Sequence, residues 1–309
     1  MTPVLLDLDL AMGAPGSDID DGFALALAVA DPEIDLRLVT TVSGNTDAAT
    51  ATTLTYELLD RLGVDAVPVH QGAIRALLHP ATRFGRLPQG VAPRTPDPGH
   101  GVLALVEAVR AAPGELTLVA VGPLTNVALA MLLDPTFAGS LADLVIMGGV
   151  FAGTTGSANQ PGEFNVWSDP AAARIVLQSG VMATWVGLDV TRRVRLTRRE
   201  AENMAADPHP FTAFAGRYSV AWIDHLIATD DPATDSCPLH DPLAVAAVTR
   251  PDLLTCAEVN LDVQLDGVAR GVMVADHRTS AARPSNARIA VDVDPAGFAE
   301  HLTGCLRRL

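Results

Sequence analysis

Short apolar runs alternate with amphipathic helical stretches along almost the whole chain, and this alternation confines it to a largely parallel sheet covered by helices. Residues 4–9, 36–42, 66–70, 116–121, 143–147 and 182–188 read as strands, and 21–30, 48–62, 102–112, 124–133 and 170–178 as the helices between them. Further on, 242–248 reads as a helix, 259–265, 271–275 and 288–293 as strands, and a closing helix starts at Pro295. From 197 to about 230 the apolar spacing stays helical, broken at Pro208 and Pro210, which predicts a helical insertion lying over the sheet and walling a site. The long Gly/Pro-rich loops 72–101 and 148–162 follow strands, where open α/β sheets place their ligands.

The expected architecture is therefore α/β, a Rossmann-like open and mostly parallel sheet flanked by helices. With 309 residues, 49% of them hydrophobic, the chain has the composition of one large core, and 1–309 is read as a single domain. A net charge of −15 opposes binding to nucleic acid and to anionic membranes. All 21 basic residues are arginine, so any mechanism that needs a catalytic lysine is excluded. Cys237, Cys256 and Cys305 are odd in number and lack CxxC spacing, which fits a reducing compartment. The start MTPVLLDLDL has neither a basic region nor a long apolar stretch, so the expected location is cytoplasmic.

The chemistry concentrates at the end of the first strand. Asp7 and Asp9 share one face of that strand, and Asp18, Asp20 and Asp21 gather where the next helix begins, beside its partial positive charge. So many carboxylates cannot stay ionised together without a cation, and hard oxygens select Ca²⁺ or Mg²⁺ where no clustered Cys or His favours zinc. The plain alternative has Ser17 capping the helix and the acids solvated. Asn45 closes the second strand, Glu163 and Asn165 end a long loop, and His240 and Asp241 open a helix; each alone reads equally well as a turn or a cap.

Taken in order, DLD…DIDD, TTVSGN, VGPLTN, VIMGG, GEFN, LHDPLAV and RGVMVAD give the chain a resemblance to the inosine-uridine-preferring nucleoside hydrolases over nearly its whole length. That resemblance implies cleavage of the N-glycosidic bond of ribonucleosides with Ca²⁺ as cofactor, in a homodimer or homotetramer. It implies Asp9, Asp21 and Asp241 as side-chain metal ligands, the carbonyl of Val121 as a further ligand, and Asp9 as general base toward the attacking water. Asp20, Asn45, Glu163, Asn165 and Asp241 would hold the ribose hydroxyls, Asn159 the 5′ hydroxyl, and Met147 would line the sugar pocket. Asp7 would stand behind the site, and His240 would protonate the leaving base. Tyr218, Trp222 and His225 on the helical insertion either stack on the base or pack in the core.

The physical reading agrees, because N-glycoside cleavage builds positive charge on the ribose and surrounding carboxylates stabilise it. One departure stands out: residues 10–17 (LAMGAPGS) lengthen the spacer between the DLD and the DD, and Asp18 could take one of the roles of Asp20. Two rivals carry other chemistry. A haloacid-dehalogenase-type phosphatase would use Asp7 as nucleophile but needs a lysine, which the chain lacks. A nucleoside-binding protein without catalysis would show loss of Asp9 or of a metal ligand, and none is lost.

Overall fold

A computed structural model describes the chain apart from residues 15, 79–83, 277 and 279–282. The first half alternates as expected: β1 (Thr2–Leu8), α1 (Asp20–Ala30), β2 (Ile34–Thr41), α2 (Ala48–Leu62), β3 (Val69–Gln71), α3 (Gly101–Ala111), β4 (Thr117–Ala120), α4 (Thr125–Leu133) and β5 (Asp143–Met147). It continues through α5 (Phe164–Ser168), α6 (Pro170–Gln178), β6 (Ala183–Val186), α7 (Leu188–Thr191), β7 (Arg195–Thr197), α8 (Arg198–Ala205) and α9 (Pro210–Thr229). The last part is β8 (Ser236–Pro238), α10 (His240–Thr249), β9 (Leu254–Val263), β10 (Met273–Asp276), β11 (Ala287–Val293) and α11 (Pro295–Leu306).

Local chemistry sets the boundaries. Asp47 caps α2 by accepting from the Thr50 amide, and Gly63 ends the helix in the left-handed region, at φ 71°, which glycine adopts without strain. In the insertion, Thr197 and Glu200 form a reciprocal capping box at the start of α8, and Pro210 opens α9 with its pre-set φ. The proline interruption read from the sequence is thus the turn between these two helices.

Nine strands form one sheet in the order β10-β9-β11-β6-β5-β4-β1-β2-β3, parallel from β3 to β11 and antiparallel at β9 and β10. β9 begins five residues earlier than its apolar pattern suggests, because Leu254 to Ala257 pair with β11 while carrying partly exposed side chains. Sequence reading also misses the two-stranded ribbon of β7 and β8, whose three-residue strands are too short for any period to show. Successive strands leave β1 toward β2 and β3 on one side and resume at β4, β5 and β6 on the other. The crevice at the carboxyl ends of β1 and β4 is therefore the switch point at which such sheets bind ligands.

Helices cover both faces over two apolar clusters. The insertion is fastened to the sheet layer by aromatic contact: Phe211 of α9 meets Phe23 of α1 edge to face, with centroids 6.3 Å apart, and both rings are fully buried. Gly216 of α9 lies so close to the backbone of α8 at Ala201 and Ala205 that any side chain there would force the helices apart. Among the described residues, no helix is long and apolar enough to cross a membrane. Replacing Phe23 by alanine is expected to lower the unfolding free energy by about 3–5 kcal/mol, measured by urea titration; a loss below about 1 kcal/mol would show that this ring does not hold the insertion down.

Candidate active site

Two helix N-termini meet under the crevice. α1 starts at Asp20 and α10 at His240, and neither has a side-chain cap of its own. Instead, Asp20 accepts the backbone N–H groups of His240 at 3.1 Å and Asp241 at 3.3 Å, so one helix caps the other. Ser17 is not the cap of α1, and the plain alternative of a solvated, self-capped helix start is not what forms.

The lengthened spacer explains how the acids still converge. Leu10, Ala11, Met12 and Ala14 are buried, and Met12 packs so tightly over Gly22 of α1 that a β-carbon there would overlap it. Residues 10–14 fold inward, Gly16 and Ser17 come out at the cavity wall, and Asp20 and Asp21 keep their place at the helix start. Asp18 stays at the cavity wall, partly exposed, with Oδ1 accepting from the Ile19 amide at 2.7 Å.

Carboxylate oxygens of Asp20, Asp21 and Asp241, all buried, lie within 4.8 Å of one another. Asp9 adjoins them: its N–H donates to Asp21 Oδ1 at 3.1 Å, and its Oδ2 accepts from the Asn45 amide at 2.5 Å. Asn45 also donates through Nδ2 to Asp21 Oδ2 at 3.2 Å, so it brackets Asp9 and Asp21. Gly44 makes this approach possible, because a β-carbon there would run into the Asp9 carboxylate. Asp7 lies behind, with Oδ1 accepting from Thr40 at 2.5 Å and Asn126 at 2.7 Å. Asn126 lies in the VGPLTN string, yet sequence reading gives it no role.

Burial, reinforced by the neighbouring carboxylates, pushes the carboxyl of Asp9 up to about 7 and those of Asp21 and Asp241 well above the ordinary range. Burial alone raises Asp7 to about 7 against the pull of its two hydrogen bonds. Among the described residues no arginine forms an ion pair with Asp9, Asp20, Asp21 or Asp241. Among the described residues, buried Asp9 Oδ1 has no hydrogen-bond partner. An all-oxygen set of crowded, uncompensated carboxylates with one orphaned oxygen fits a hard divalent cation.

Above this floor opens a cavity of about 700 Å³. Asp20, Asn45, Val121, Met147, Glu163, Asn165, His240 and Asp241 all line it. Glu163 caps α5, accepting from the amides of Asn165 and Val166, and also accepts from Gly149; burial raises its pKa. Asn165 Nδ2 donates to the carbonyls of Val121 at 2.7 Å and Met147 at 3.3 Å, tying together the ends of β4 and β5. Asn159 is exposed and does not line the cavity, whereas Ser157 and Gln160 on the same loop do.

His240 is half-buried, and burial holds its imidazole below the usual value. Its Nδ1 lies 2.7 Å from Thr191 Oγ1. Sequence reading misses Thr191; the available signal was a hydroxyl residue just beyond a strand end, on the same edge as the other polar groups. From the insertion, Trp222 and Leu226 line the outer cavity, and the Trp222 indole stacks on His225 at 5.1 Å. Tyr218 packs on Phe214 and lines no part of the cavity.

Comparison with known proteins accords with this geometry. The family model described as inosine-uridine preferring nucleoside hydrolase matches residues 4–300. The pyrimidine-specific ribonucleoside hydrolase RihA of Citrobacter koseri is 31% identical over 310 residues, covering 97% of this chain and 96% of its own. A plant nucleoside hydrolase, the PpNRh1 enzyme, superposes with a TM-score of 0.86 at 28% identity, covering 99% of this chain and 98% of its own. The purine-preferring ribonucleoside hydrolase of Gardnerella vaginalis gives 0.84 at 26% identity over 98% of each chain. This chain belongs to the inosine-uridine preferring nucleoside hydrolase family.

Proposed function

We propose that this nucleoside hydrolase works with Ca²⁺ held by Asp9, Asp21, Asp241 and the Val121 carbonyl, with Asp9 as general base and His240 as the acid for the leaving base. Hydrolysis of the N-glycosidic bond of ribonucleosides is the family's reaction and this chain's. The observation that carries the finer reading is the trio of buried carboxylates within 4.8 Å, beside Asp9, at the floor of a cavity of about 700 Å³. The Val121 carbonyl accepts one bond from Asn165 and keeps a second lone pair for a cation. Ca²⁺, when bound, screens the carboxylates from one another and makes a water at the cluster more acidic.

Asp20, Asn45, Glu163, Asn165 and Asp241 are the groups for the ribose hydroxyls, with Met147 against the sugar. Asn159, exposed on its loop, reaches the 5′ hydroxyl only if that loop folds inward over the bound sugar. The Asp9 carboxyl oxygen that lacks a partner, Oδ1, takes the proton of the attacking water. As the C1′–N bond breaks, positive charge grows on the ribose ring, and the ring of carboxylates stabilises it. The Thr191 contact at Nδ1 is compatible with the hydroxyl as donor, the tautomer in which the neutral imidazole of His240 would carry its proton on Nε2 for the departing base. An anionic cavity of this kind repels phosphorylated substrates, and the chain has no lysine for phosphoryl chemistry. The active unit is a homodimer or homotetramer in the cytoplasm.

Ribose release from inosine, uridine, adenosine, cytidine and guanosine is expected to vanish after metal stripping and to return with Ca²⁺; release that survives complete stripping would refute the metal assignment. Asp9→Asn is expected to fold normally and to lose about 10²–10⁴-fold in kcat, and turnover near wild type would remove Asp9 as base. Both His240→Ala and Thr191→Val are expected to slow nucleosides more than ribosides with an activated aryl leaving group, with the threonine variant showing the smaller loss. Equal losses on both substrate types would argue against proton donation by His240.

A further inference from the structure

The two helices that meet at the active site also end together. The C-terminal residue of α10, Thr249, donates its hydroxyl to Asp31 Oδ2 at 2.7 Å, and Asp31 is the residue that closes α1. α1 and α10 therefore run parallel, with their positive ends under the cavity and their negative ends converging on the opposite side of the molecule. Neither helix has a basic residue in its last turn.

Facing this negative end is α11, which presents His301 and Cys305 one turn apart on the same side. Ligand atoms of Asp31, His301 and Cys305 all lie within 4.8 Å of one another. Asp31 and Cys305 are each 2% exposed and His301 13%, so the group is sealed except along the imidazole. His301 Nε2 sits 3.2 Å from Asp31 Oδ2, yet it is buried and makes no hydrogen bond among the described residues. A spacing of 3.2 Å matches the edge of a tetrahedron whose metal–ligand bonds are about 2.0 Å.

We propose that Asp31, His301 and Cys305 form a second metal site, one for a tetrahedral, thiolate-accepting divalent cation of the zinc class, which pins α11 to the ends of α1 and α10. The donor sets of the two clusters differ in kind. The cavity floor offers only oxygen and suits a hard cation, whereas this cluster supplies one oxygen, one nitrogen and one sulfur. Binding displaces the Cys305 thiol proton to solvent and leaves a fourth position for water. Burial, with Asp31 nearby, raises the thiol's pKa. The site stands apart from the hydrolytic machinery, and its occupancy is independent of the Ca²⁺ reading.

Cobalt(II) is the probe, because a cysteine thiolate bound to it gives a charge-transfer absorption in the near ultraviolet that oxygen ligands do not. Full-length protein titrated with Co²⁺ is expected to develop that band with one equivalent, and Zn²⁺ is expected to displace it. Cys305→Ser should abolish the band while leaving nucleoside hydrolysis unchanged, and Asp21→Asn should keep it. His301→Gln, at the more exposed ligand, should weaken Zn²⁺ binding by well over tenfold, since even outer partners of metal ligands are worth about 10–100-fold, and should lower the zinc-dependent rise in melting temperature. Absence of the band in the wild type, its persistence in Cys305→Ser, or unchanged Zn²⁺ affinity in His301→Gln would overturn the proposal and leave His301 and Asp31 as an ordinary ion pair.

Discussion

Like charges brought out of water repel one another and lose hydration, and this protein gathers Asp9, Asp20, Asp21 and Asp241 in one buried cluster. Two features make that tolerable. The N-termini of α1 and α10 direct unpaired N–H groups and positive helix ends at the acids, and Asp20 takes up two of those N–H groups. A divalent cation would neutralise most of the remainder. Much else in the fold serves this convergence: the switch point between β1 and β4, the glycine at 44 that clears space for Asp9, and the buried residues 10–14 packed against α1.

Parallel strands buried on both faces write long apolar runs, and crossover helices write the 3.6-residue period between them, so the central sheet was legible from the residues alone. The antiparallel edge was less so, because β9 carries exposed polar residues where it pairs with β11. The β7–β8 ribbon left no periodic trace at all. In the site, Asp9, Asp20 and Asp21 stood out as acids crowded at one strand end and helix start, whereas Asn45, Glu163, Asn165, His240 and Asp241, each readable alone as a turn or a cap, could be named only through the ordered motifs of the family resemblance. Thr191 and Asn126 could not, since each acts by holding another polar group and resembles any buried hydroxyl or amide until its partner is known. Asn159 shows the opposite case, a residue in a fitting stretch of sequence whose loop leaves it exposed.

The helical insertion connects these levels. Its aromatic anchor, Phe211 against Phe23, joins it to the same helix that carries Asp20 and Asp21, and from α9 it sends Trp222 and Leu226 into the cavity wall. One helix therefore aligns the acidic floor of the cavity with the wall that α9 contributes. Substitutions in that wall can reshape the cavity without disturbing the floor.

The bonds from Asp20 to His240 and Asp241 span 220 and 221 residues of chain. Contacts so distant in sequence carry a large loop-closure entropy and form late in folding. At about 5–20 residues per second, a ribosome takes roughly 10–45 s to extend the chain from the first aspartates to the last. Throughout that interval the cluster lacks Asp241 and is incomplete. The proposed cation site is therefore complete only once Asp241 and the helix that carries it have been made and docked.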